Sequence, residues 1–541
     1  QGLYPMFHLF SKKNGNLKDD SLSGLTVALA LVPEAIAFSF IAGVNPLVGL
    51  WAAVFMGFIT AACGGRPGMI SGATGAIAVV AGKAVQYGDN LGDGLGLQFL
   101  FAVIMVAGVI QILFGVLKLG RFIRLVPHPV MIGFVNGLAI VICMGQFGFF
   151  KKFSHLDDKG SRVMEWMQGS ELGILIGLIV LTMAIIQFFP KLTKAIPSTL
   201  AAIIVVGLIA YFLPDARTIE NVLKDGGGDG TLSGSFPVPA WPSDIAWGEH
   251  WTFILQTAFV VAMVGIIESL MTLQLIDEIT ETRGQGNREC VAQGGANFLS
   301  GLFGGMGGCA MIGQSLINIK SGGRGRTSGI VAAVSLTLFI VIGGPVIIQI
   351  PIAALVGVMF MVVIGTFEWS TFKSFGKIAK SEMLIILTVT LVTAIMHDLA
   401  LAVFVGVILS ALVFAWESSK HITVTLHKDT PEERIYGIEG MLYFGSVREF
   451  SDKFQAKSDV PSIVIDFEEA RVCDLSGLEA INALGERYRN AGKVLHVRHL
   501  STDCQQMLEK AGTLVDIEVL PDDPHYSVAL LRSDKSKIIG S

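Results

Sequence analysis

The sequence predicts a helical polytopic membrane protein with two inverted repeats, followed by a small soluble α/β domain. Its 541 residues are 52% hydrophobic and only 15% charged, whereas soluble domains carry about 25% charged residues. Two matching glycine-rich stretches interrupt the apolar part of the chain. After Trp416 the composition changes to alternating strand-like and helix-like runs. Together these features favour a membrane part built from two halves and a separate soluble end.

Apolar runs predict about fourteen membrane-crossing or half-crossing segments, because about 20 apolar residues span a bilayer. The first half gives segments at 22–41, 46–63, 71–85, 97–117, 129–149, 172–189 and 197–213. The second half gives segments at 251–276, 290–302, 311–319, 327–342, 352–367, 383–396 and 399–416. The predicted domains are an N-terminal segment at 1–20, a first repeat at 21–213, a linker loop at 214–250, a second repeat at 251–418 and the soluble domain at 421–535.

Basic residues predict the orientation of the segments, because Lys and Arg concentrate in cytoplasmic loops. With the N-terminus inside, Lys191, Lys320 and Lys380 fall on the cytoplasmic side, and the acid-rich loop at 215–249 falls outside. One loop, which contains Lys151 and Lys152, disagrees. The balance places both termini in the cytoplasm, so the second half enters from the side opposite to the first.

The two glycine-rich stretches, 64–77 (GGRPGMISGATGAI) and 304–317 (GGMGGCAMIGQSLI), align without a gap. They share the leading glycine pair, the glycine at Gly68 and Gly308, and the closing isoleucine. Paired, glycine-interrupted apolar segments in two halves are typical of broken helices that meet at the membrane midplane. Helices that begin there would aim free N–H groups and positive dipole ends at one point, which favours an anion. Two glycine-rich turns with chance similarity are the alternative.

The polar side chains of these stretches and of one neighbouring segment are the candidate functional groups. Thr74 and Ser315 offer hydroxyls and Gln314 an amide to an oxyanion, although hydroxyls at such positions also cap helix ends. Glu268 lies well inside an apolar segment, with Thr272 one turn further on the same face. Because an unpaired buried carboxylate is costly, we expect Glu268 to hold a proton or a metal ion, or to be hydrogen-bonded structurally.

The soluble end predicts strands at 421–426, 463–467 and 494–497 and helices at 478–491 and 502–510. Strands that alternate with helices over about 110 residues are typical of a small α/β domain. Nothing in it has the pattern of a catalytic site. The net charge of −5 argues against nucleic acid as a partner, and six scattered cysteines indicate neither a disulfide framework nor a zinc site.

Four stretches carry a resemblance to a known family: ALVPEAIAFSF at 30–40, SGATGAIAVV at 71–80, NRECVAQGGANFLSGLFGG at 287–305 and NIKSGGR at 318–324. With the inverted halves and the soluble end, they resemble the SulP family of sulfate permeases and anion exchangers, whose members end in a STAS domain. The resemblance covers nearly the whole chain. The last two stretches look particularly like the bacterial bicarbonate transporters of this family.

The resemblance implies a homodimer in which each protomer has a core and a gate domain. The substrate would lie between the amino ends of the third and tenth helices, which are broken, and the core would move like an elevator. Carried over by position, the substrate-binding residues are Ser71, Gly72, Ala73 and Thr74 on one side and Ile312, Gly313, Gln314 and Ser315 on the other.

Three further positions acquire expected roles from the resemblance. Many animal members carry an arginine where Gln314 stands, so no fixed cation neutralises the anion here. Sodium-coupled bicarbonate transporters have an aspartate where Glu268 stands, so Glu268 with Thr272 becomes a candidate Na⁺ site or a proton site. Glu34 matches a family glutamate or glutamine with a structural or gating role. Ser476 matches the STAS phosphorylation serine, although it is more often a simple N-cap.

These features lead to three functional expectations. The first is secondary active transport of a small inorganic oxyanion coupled to Na⁺ or H⁺, with bicarbonate ahead of sulfate and of a dicarboxylate. The second is a membrane-anchored regulator whose STAS domain reads a protein partner or nucleotide without transport, and the third is a channel-like anion leak. The expected location is the plasma (inner) membrane, no cofactor is expected beyond a co-transported Na⁺, and the protein is not expected to be an enzyme.

Overall fold

The computed structural model describes residues 17–92, 94–120, 127–156, 162–192, 198–213, 215–225, 235–373, 378–396, 399–419, 422–500, 504 and 518–519. The chain divides into two compact units, Gln1–Val407 and Ile408–Ser541. The first unit is mainly helical, and the division falls within the last long apolar helix. The second unit contains a five-stranded sheet.

The apolar runs of the sequence form helices throughout the first unit. In chain order they are α1 (Leu17–Ile41), α2 (Pro46–Cys63), α3 (Gly75–Asp89), α4 (Leu95–Val116), α5 (His128–Gln146), α6 (Gly169–Leu192), α7 (Ser198–Tyr211), α8 (Ile219–Asp225), α9 (Trp247–Thr280), α10 (Gly286–Leu302), α11 (Ile312–Lys320), α12 (Arg326–Ile347), α13 (Ile352–Thr366), α14 (Ser370–Lys373), α15 (Lys380–Met396) and α16 (Leu399–Ser419). Four short strands accompany them: β1 (Ser71–Gly72), β2 (Lys151–Leu156), β3 (Arg162–Trp166) and β4 (Cys309–Ala310).

Each of the fourteen predicted segments corresponds to one of these helices. Among the described residues, seven helices are long and apolar enough to cross a membrane, namely α1, α2, α4, α5, α6, α9 and α12. The 15 residues of α3 and the nine of α11 would extend only about 22 Å and 14 Å, less than the hydrocarbon thickness. The prediction of half-crossing segments at these two places therefore agrees with the helix lengths.

The helices form two bundles. In one bundle α1 and α2 pack on α12, and α10 packs on α2 and α4, with α3, α9 and α11 alongside. In the other, α5 packs on α15 and α13, and α6 packs on α7 and α13. Both broken segments belong to the first bundle, which therefore positions the candidate site.

Two loops contain structure that the sequence analysis did not predict. Helix α8 lies in the expected linker because Ile219 is fully buried and Thr218 pairs with Pro351. Its first turn is held by Asn221, whose side chain accepts from the Thr218 amide at 2.8 Å. Strands β2 and β3 form an antiparallel hairpin that includes Lys151 and Lys152. Both elements are too short or too polar to give an apolar pattern.

The second unit forms a sheet in the order β5 (Thr423–Asp429), β6 (Glu433–Leu442), β7 (Ser462–Val472), β8 (Val494–Arg498) and β9 (Glu518–Val519). Strand β5 pairs antiparallel with β6, and the other pairs are parallel. Helices α17 (Val447–Asp452) and α18 (Leu475–Asn490) accompany the sheet. Phe450, Phe467, Leu484 and Tyr488 are among the residues of its apolar core.

The predicted strands and the first predicted helix of this unit are confirmed as β5, β7, β8 and α18. Strand β6 was missed because it buries the side chains of only Ile438 and Leu442, without alternation. Helix α17 was missed because it has six residues and buries only Phe450. The helix predicted at 502–510 lies outside the described residues, apart from the buried Cys504.

Candidate functional site

The two glycine-rich stretches meet in a short antiparallel ladder. Ser71 of β1 faces Ala310 of β4, and Gly72 faces Cys309. The approach is very close, since a Cβ added at Gly308 would lie 1.9 Å from the carbonyl oxygen of Gly72. Glycine is therefore required at Gly308, because any side chain would separate the two stretches. Since the strands are antiparallel, α3 and α11 leave the ladder in opposite directions, each starting next to it.

The buried amino end of α3 has backbone N–H groups that donate to no acceptor within the helix. Its first intrahelical bond runs from the Ala78 amide to the Thr74 carbonyl, so the amides of Gly75, Ala76 and Ile77 have no acceptor within the helix. Thr74 occupies the N-cap position with extended backbone, but its hydroxyl makes no capping bond. The hydroxyl instead lies 3.1 Å from Cys309 Sγ. The alternative that Thr74 serves as a side-chain cap is therefore wrong.

The amino end of α11 repeats this arrangement from the other half of the chain. Its first intrahelical bond runs from the Ser315 amide to the Met311 carbonyl, which leaves Ile312, Gly313 and Gln314 without intrahelical acceptors for their amides. Gly313 is exposed, and a Cβ added there would meet no atom within 4 Å. Gln314 is buried. This helix end therefore has an open side at Gly313 and a closed side at Gln314.

The electrostatics of this meeting point come from backbone dipoles. Each helix amino end carries about half a positive charge. The first turns of α3 and α11 contain no Lys or Arg; the nearest basic residues of these helices are Lys83 and Lys320, both exposed. Two half charges suit one monovalent anion better than a divalent one.

Glu268 and Thr272 on α9 both lie against β4. The Glu268 carboxylate accepts a hydrogen bond from Cys309 Sγ at 2.9 Å. The Thr272 hydroxyl donates to the Glu268 carbonyl at 2.8 Å and lies 3.4 Å from the Ala310 carbonyl oxygen. Ser269 holds the same strand by accepting from the Ala310 amide at 3.1 Å. The oxygen atoms of Glu268, Thr272 and Ala310 are of the kind that Na⁺ takes as ligands, and the carboxylate equally takes a proton.

Glu34 on α1 contacts the same broken segment as Glu268 does, but at its helix α11. The residue is 7% exposed, and its carboxylate accepts a hydrogen bond from the Gln314 side chain. Among the described residues the buried Gln314 Oε1 has no hydrogen-bond partner, so the amide nitrogen makes this bond. The structure thus brings Glu34 to α11, as expected for a residue that supports the crossing of the broken helices.

The two serines carried over from the resemblance bond to protein groups instead. Ser71 Oγ accepts from Gln293 Nε2 at 2.7 Å. Ser315 Oγ accepts from the Ile70 amide at 3.0 Å and lies 3.4 Å from its carbonyl oxygen. Both hydroxyls therefore hold the ladder together, whereas Gly72 and Ala73 contribute buried backbone.

Sequence analysis missed a row of buried polar residues on α10 that supports the ladder. The Asn297 side chain bonds to both backbone groups of Gly308: it donates to the carbonyl at 3.0 Å and accepts from the amide at 2.8 Å. Gln293 bridges Ser71 and Glu289, and Glu289 accepts from the Gly65 amide at 2.7 Å. These residues recur every four positions, which places them on one helical face. That spacing is a signal the sequence contained.

In the second unit, the N-cap of α18 is not Ser476 as expected from the sequence. The N-cap of α18 is Asp474, whose Oδ1 accepts from the Gly477 amide at 2.9 Å and whose Oδ2 accepts from the Phe444 amide at 2.9 Å. Ser476 lies inside the first turn of α18, so the expectation that it is the N-cap is wrong. A carboxylate caps as well as a hydroxyl and adds favourable charge at the helix amino end.

A cluster of Asp466, Glu468 and His499 is the one group of described residues spaced like metal ligands. Burial raises the pKa of Asp466, but the hydrogen bonds from Arg498 and His499 outweigh it, so the net pKa lies below its ordinary range. Both carboxylate oxygens already accept from these two residues, at 2.9 Å and 2.7 Å. The cluster is therefore a structural ion-pair network that links the middle of β7 to the end of β8.

Comparison with known proteins places these features in a family. The profile of the sulfate permease family matches residues 17–389, and that of the STAS domain matches residues 422–522. The chain belongs to the sulfate permease family. It is therefore an integral membrane anion transporter with a C-terminal STAS domain, and the family is not enzymatic.

Two relatives within the sulfate permease family differ in their named substrates. A Bacillus subtilis protein, YbaR, provisionally named as a sulfate transporter, is 40% identical over 497 residues, which cover 92% of this chain and 97% of the relative. The bicarbonate transporter BicA of a Picosynechococcus species is 30% identical over 530 residues, covering 92% and 91%.

Two solved structures share the fold. The transmembrane domain of a cyanobacterial BicA matches with a TM-score of 0.62 at 29% identity, covering 75% of this chain and all of that one. The murine Solute Carrier 26 family member A9 anion transporter matches with a TM-score of 0.74 over 95% of this chain and 91% of its own, but at 16% identity this likeness concerns the fold alone.

Proposed function

We propose that the protein transports bicarbonate by secondary active transport, together with a monovalent cation, Na⁺ or H⁺, held at Glu268. The observation that carries this proposal is the ladder from which α3 and α11 begin, with free amides on both sides and Glu268 connected to it through Cys309. The anion would bind between Thr74 and the amides at the start of α3, and Gln314 and the amides at the start of α11. Ser71, Gly72, Ala73, Ile312 and Ser315 would shape this site.

Charge balance favours a monovalent oxyanion. Two helix amino ends supply about one positive charge in total. With one cation on the Glu268 carboxylate, one bicarbonate leaves the site close to neutral, whereas sulfate would leave a net negative charge of about one. Likeness to BicA over nearly the whole chain supports the same choice.

Sulfate is the second candidate, because the relative provisionally named as a sulfate transporter shares more sequence with this chain than BicA does. A dicarboxylate ranks third, since its second carboxylate, like the second charge of sulfate, would leave the site with a net negative charge. A membrane-anchored STAS regulator without transport would bind an anion without moving it. The matched helix breaks speak against that alternative, since a mere anchor does not need them.

An elevator-type motion fits the division of the helices into two bundles. Both broken segments, α1 and α9 lie in one bundle, which would carry anion and cation together past the bundle of α5, α6, α7, α13 and α15. We further propose a homodimer in the plasma membrane with both termini in the cytoplasm, and a STAS domain that contacts a protein partner.

The test is uptake of labelled anions by proteoliposomes that contain the full chain. Labelled bicarbonate, sulfate and succinate are each supplied with an inward Na⁺ gradient, an inward H⁺ gradient and no gradient. Bicarbonate is measured in a mildly alkaline buffer so that little CO₂ forms and crosses the lipid directly. We expect bicarbonate uptake above that of empty liposomes, and stimulation by one of the two cation gradients.

Several outcomes would contradict parts of the proposal. Uptake of sulfate but not of bicarbonate would overturn the substrate, and the same rate in every gradient would overturn the coupling. A current that follows the anion gradient without any cation dependence would indicate a channel-like leak. Binding without accumulation would favour the regulator.

A further inference from the structure

The buried thiol of Cys309 lies between the two groups to which the proposed function assigns cation and anion. Its Sγ donates to Glu268 Oε2 at 2.9 Å and lies 3.1 Å from Thr74 Oγ1. The residue is fully buried in β4. Thus one sulfur atom connects α9 to the amino end of α3.

The directions of the two hydrogen bonds that join Glu268, Cys309 and Thr74 follow from the protons that these side chains carry. A carboxylate only accepts, so the single thiol proton lies towards Glu268. The Thr74 hydroxyl then donates its one proton to the sulfur, because the thiol proton is already used. In this state Thr74 has only lone pairs left for the space at the start of α3, and lone pairs repel an anion.

A cation at Glu268 would reverse this order. It occupies Oε2, the oxygen atom to which the thiol now donates, so the S–H bond turns towards Thr74 Oγ1. The Thr74 hydroxyl then accepts from the thiol, and its own proton becomes available to an oxyanion. We propose that Cys309 is a positioning residue through which a monovalent cation at Glu268 turns Thr74 into a donor for the transported oxyanion. This inference rests on the proposed function and names the contact that couples its two ions.

The hydrogen bonds given for the other titratable groups on α9 and on the elements packed against it do not involve Glu268, Cys309 or Thr74. The elements packed against α9 are α3, α4, α10, α11 and β4. Glu289 of α10 bonds to Gly65 and Gln293, Arg288 to the Cys63 carbonyl, and Tyr87 of α3 to His250 of α9. Cys290 of α10 packs against Ile266 and Leu270. The remaining ones on these helices are exposed or lie at the far end of α9, namely Lys83, Asp89, Glu249, Lys320, Asp277 and Glu278.

The experiment compares Cys309→Ala, Cys309→Ser and wild type in full-length proteoliposomes, with two measurements for each. One is uptake of labelled bicarbonate driven by the effective cation gradient; the other is exchange of bicarbonate at equal cation concentration on both sides. Allosteric coupling between sites typically amounts to about 5- to 150-fold. We expect Cys309→Ala to reduce cation stimulation about tenfold while exchange stays within about twofold of wild type.

Two further variants separate coupling from a structural role. Cys309→Ser should keep most of the stimulation, because a hydroxyl also carries one proton. Cys290→Ala, which removes a buried thiol that does not contact Glu268, should behave as wild type. Thr74→Val should lose cation stimulation to the same degree as Cys309→Ala. The double variant with both substitutions should lose no more stimulation than either single variant.

A spectroscopic measurement covers the case in which Cys309→Ala folds poorly. The S–H stretching band of Cys309, obtained as the infrared difference between wild type and Cys309→Ser, should shift when the effective cation is added. An unchanged band overturns the inference, as does a Cys309→Ala protein with wild-type stimulation. A wild type without any cation stimulation overturns the proposed function itself, and with it this inference.

Discussion

The two broken segments have the same backbone plan but different side-chain partners. Both consist of a two-residue strand followed by a helix, and the strands pair with one another. Thr74 of the α3 segment is linked to α9 through Cys309, which belongs to strand β4 of the other segment. The segment of α11 reaches α1 through Gln314 and Glu34, and α1 and α12 through Asn318. The first long helix of each half thus supplies one carboxylate, and both carboxylates contact the second segment, Glu268 at its strand β4 and Glu34 at its helix α11.

This difference suggests a division of roles. Helix α11 is tied by several strong bonds and by the Asn318 network, so it can act as a fixed wall of the site. The Thr74 hydroxyl has a sulfur neighbour, which makes a weaker hydrogen bond than oxygen does. A weakly held hydroxyl is easier to redirect, so the α3 side is the one on which ion binding should act.

The largest expected effect is the loss of the ladder on which both segments depend. Gly308→Ala would place a methyl group 1.9 Å from the Gly72 carbonyl oxygen, so the strands must separate. We expect the free energy of unfolding to fall by more than about 4 kcal/mol. At that loss the protein should no longer give a monodisperse peak in detergent, which is the measurement. Gly313→Ala, where the added methyl meets no atom within 4 Å, is the control. A stable Gly308→Ala protein would contradict the close approach.

The second prediction compares the two carboxylates. Glu268→Gln should abolish cation stimulation of anion uptake, a loss of at least about tenfold, because a neutral amide holds neither Na⁺ nor an added proton. Glu34→Gln should keep uptake within about twofold, since a second amide still bonds to Gln314. The measurement is gradient-driven uptake by the two variants side by side. Equal losses would mean that both carboxylates handle the cation.

The third prediction concerns the anchoring of α11. Asn318 donates to the Gly68 carbonyl at 2.8 Å and to Ser328 Oγ at 2.9 Å, and accepts from Ser23 at 2.5 Å. Asn318→Ala removes all three side-chain bonds, although Ser23 and Ser328 keep bonds to the backbone carbonyls of residue 318 and Gly325. We expect a loss of about 2 kcal/mol in the free energy of unfolding, mainly because the buried Gly68 carbonyl loses this donor. Thermal unfolding in detergent measures it. The control is Asn90→Ala at the exposed end of α3, which should change stability by less than about 0.5 kcal/mol.

The sequence predicted the helices and the helix breaks because both depend on local composition. Apolar runs and glycines specify where a chain crosses a membrane and where a helix cannot continue, so all fourteen segments were found. The gap-free alignment of the two glycine stretches also predicted that they meet, but not that they pair as the strands β1 and β4. Helix α8 and strand β6 were missed because each is stabilised by one or two buried residues and not by a periodic pattern.

The side-chain partners in the site could not be predicted in the same way. Cys309 and Glu268 are 41 positions apart, and Glu34 and Gln314 are 280 positions apart, so their contacts depend on how whole helices pack. A lone cysteine has no sequence pattern that indicates such a contact. The polar row of Glu289, Gln293 and Asn297 is different, because its spacing of four was visible and was not used.

The smallest expected effect on transport comes from Ser315, and it tests whether this hydroxyl binds the anion or only the protein. Because Ser315 Oγ accepts from the Ile70 amide, Ser315→Ala should cost about 1–2 kcal/mol of stability but leave the KM for the anion within about twofold. Thr74→Ala, which removes the hydroxyl on the α3 side, should raise that KM about tenfold. If Ser315→Ala raises the KM as much as Thr74→Ala does, the hydroxyl must leave Ile70 during transport, and α11 is then no more fixed than α3.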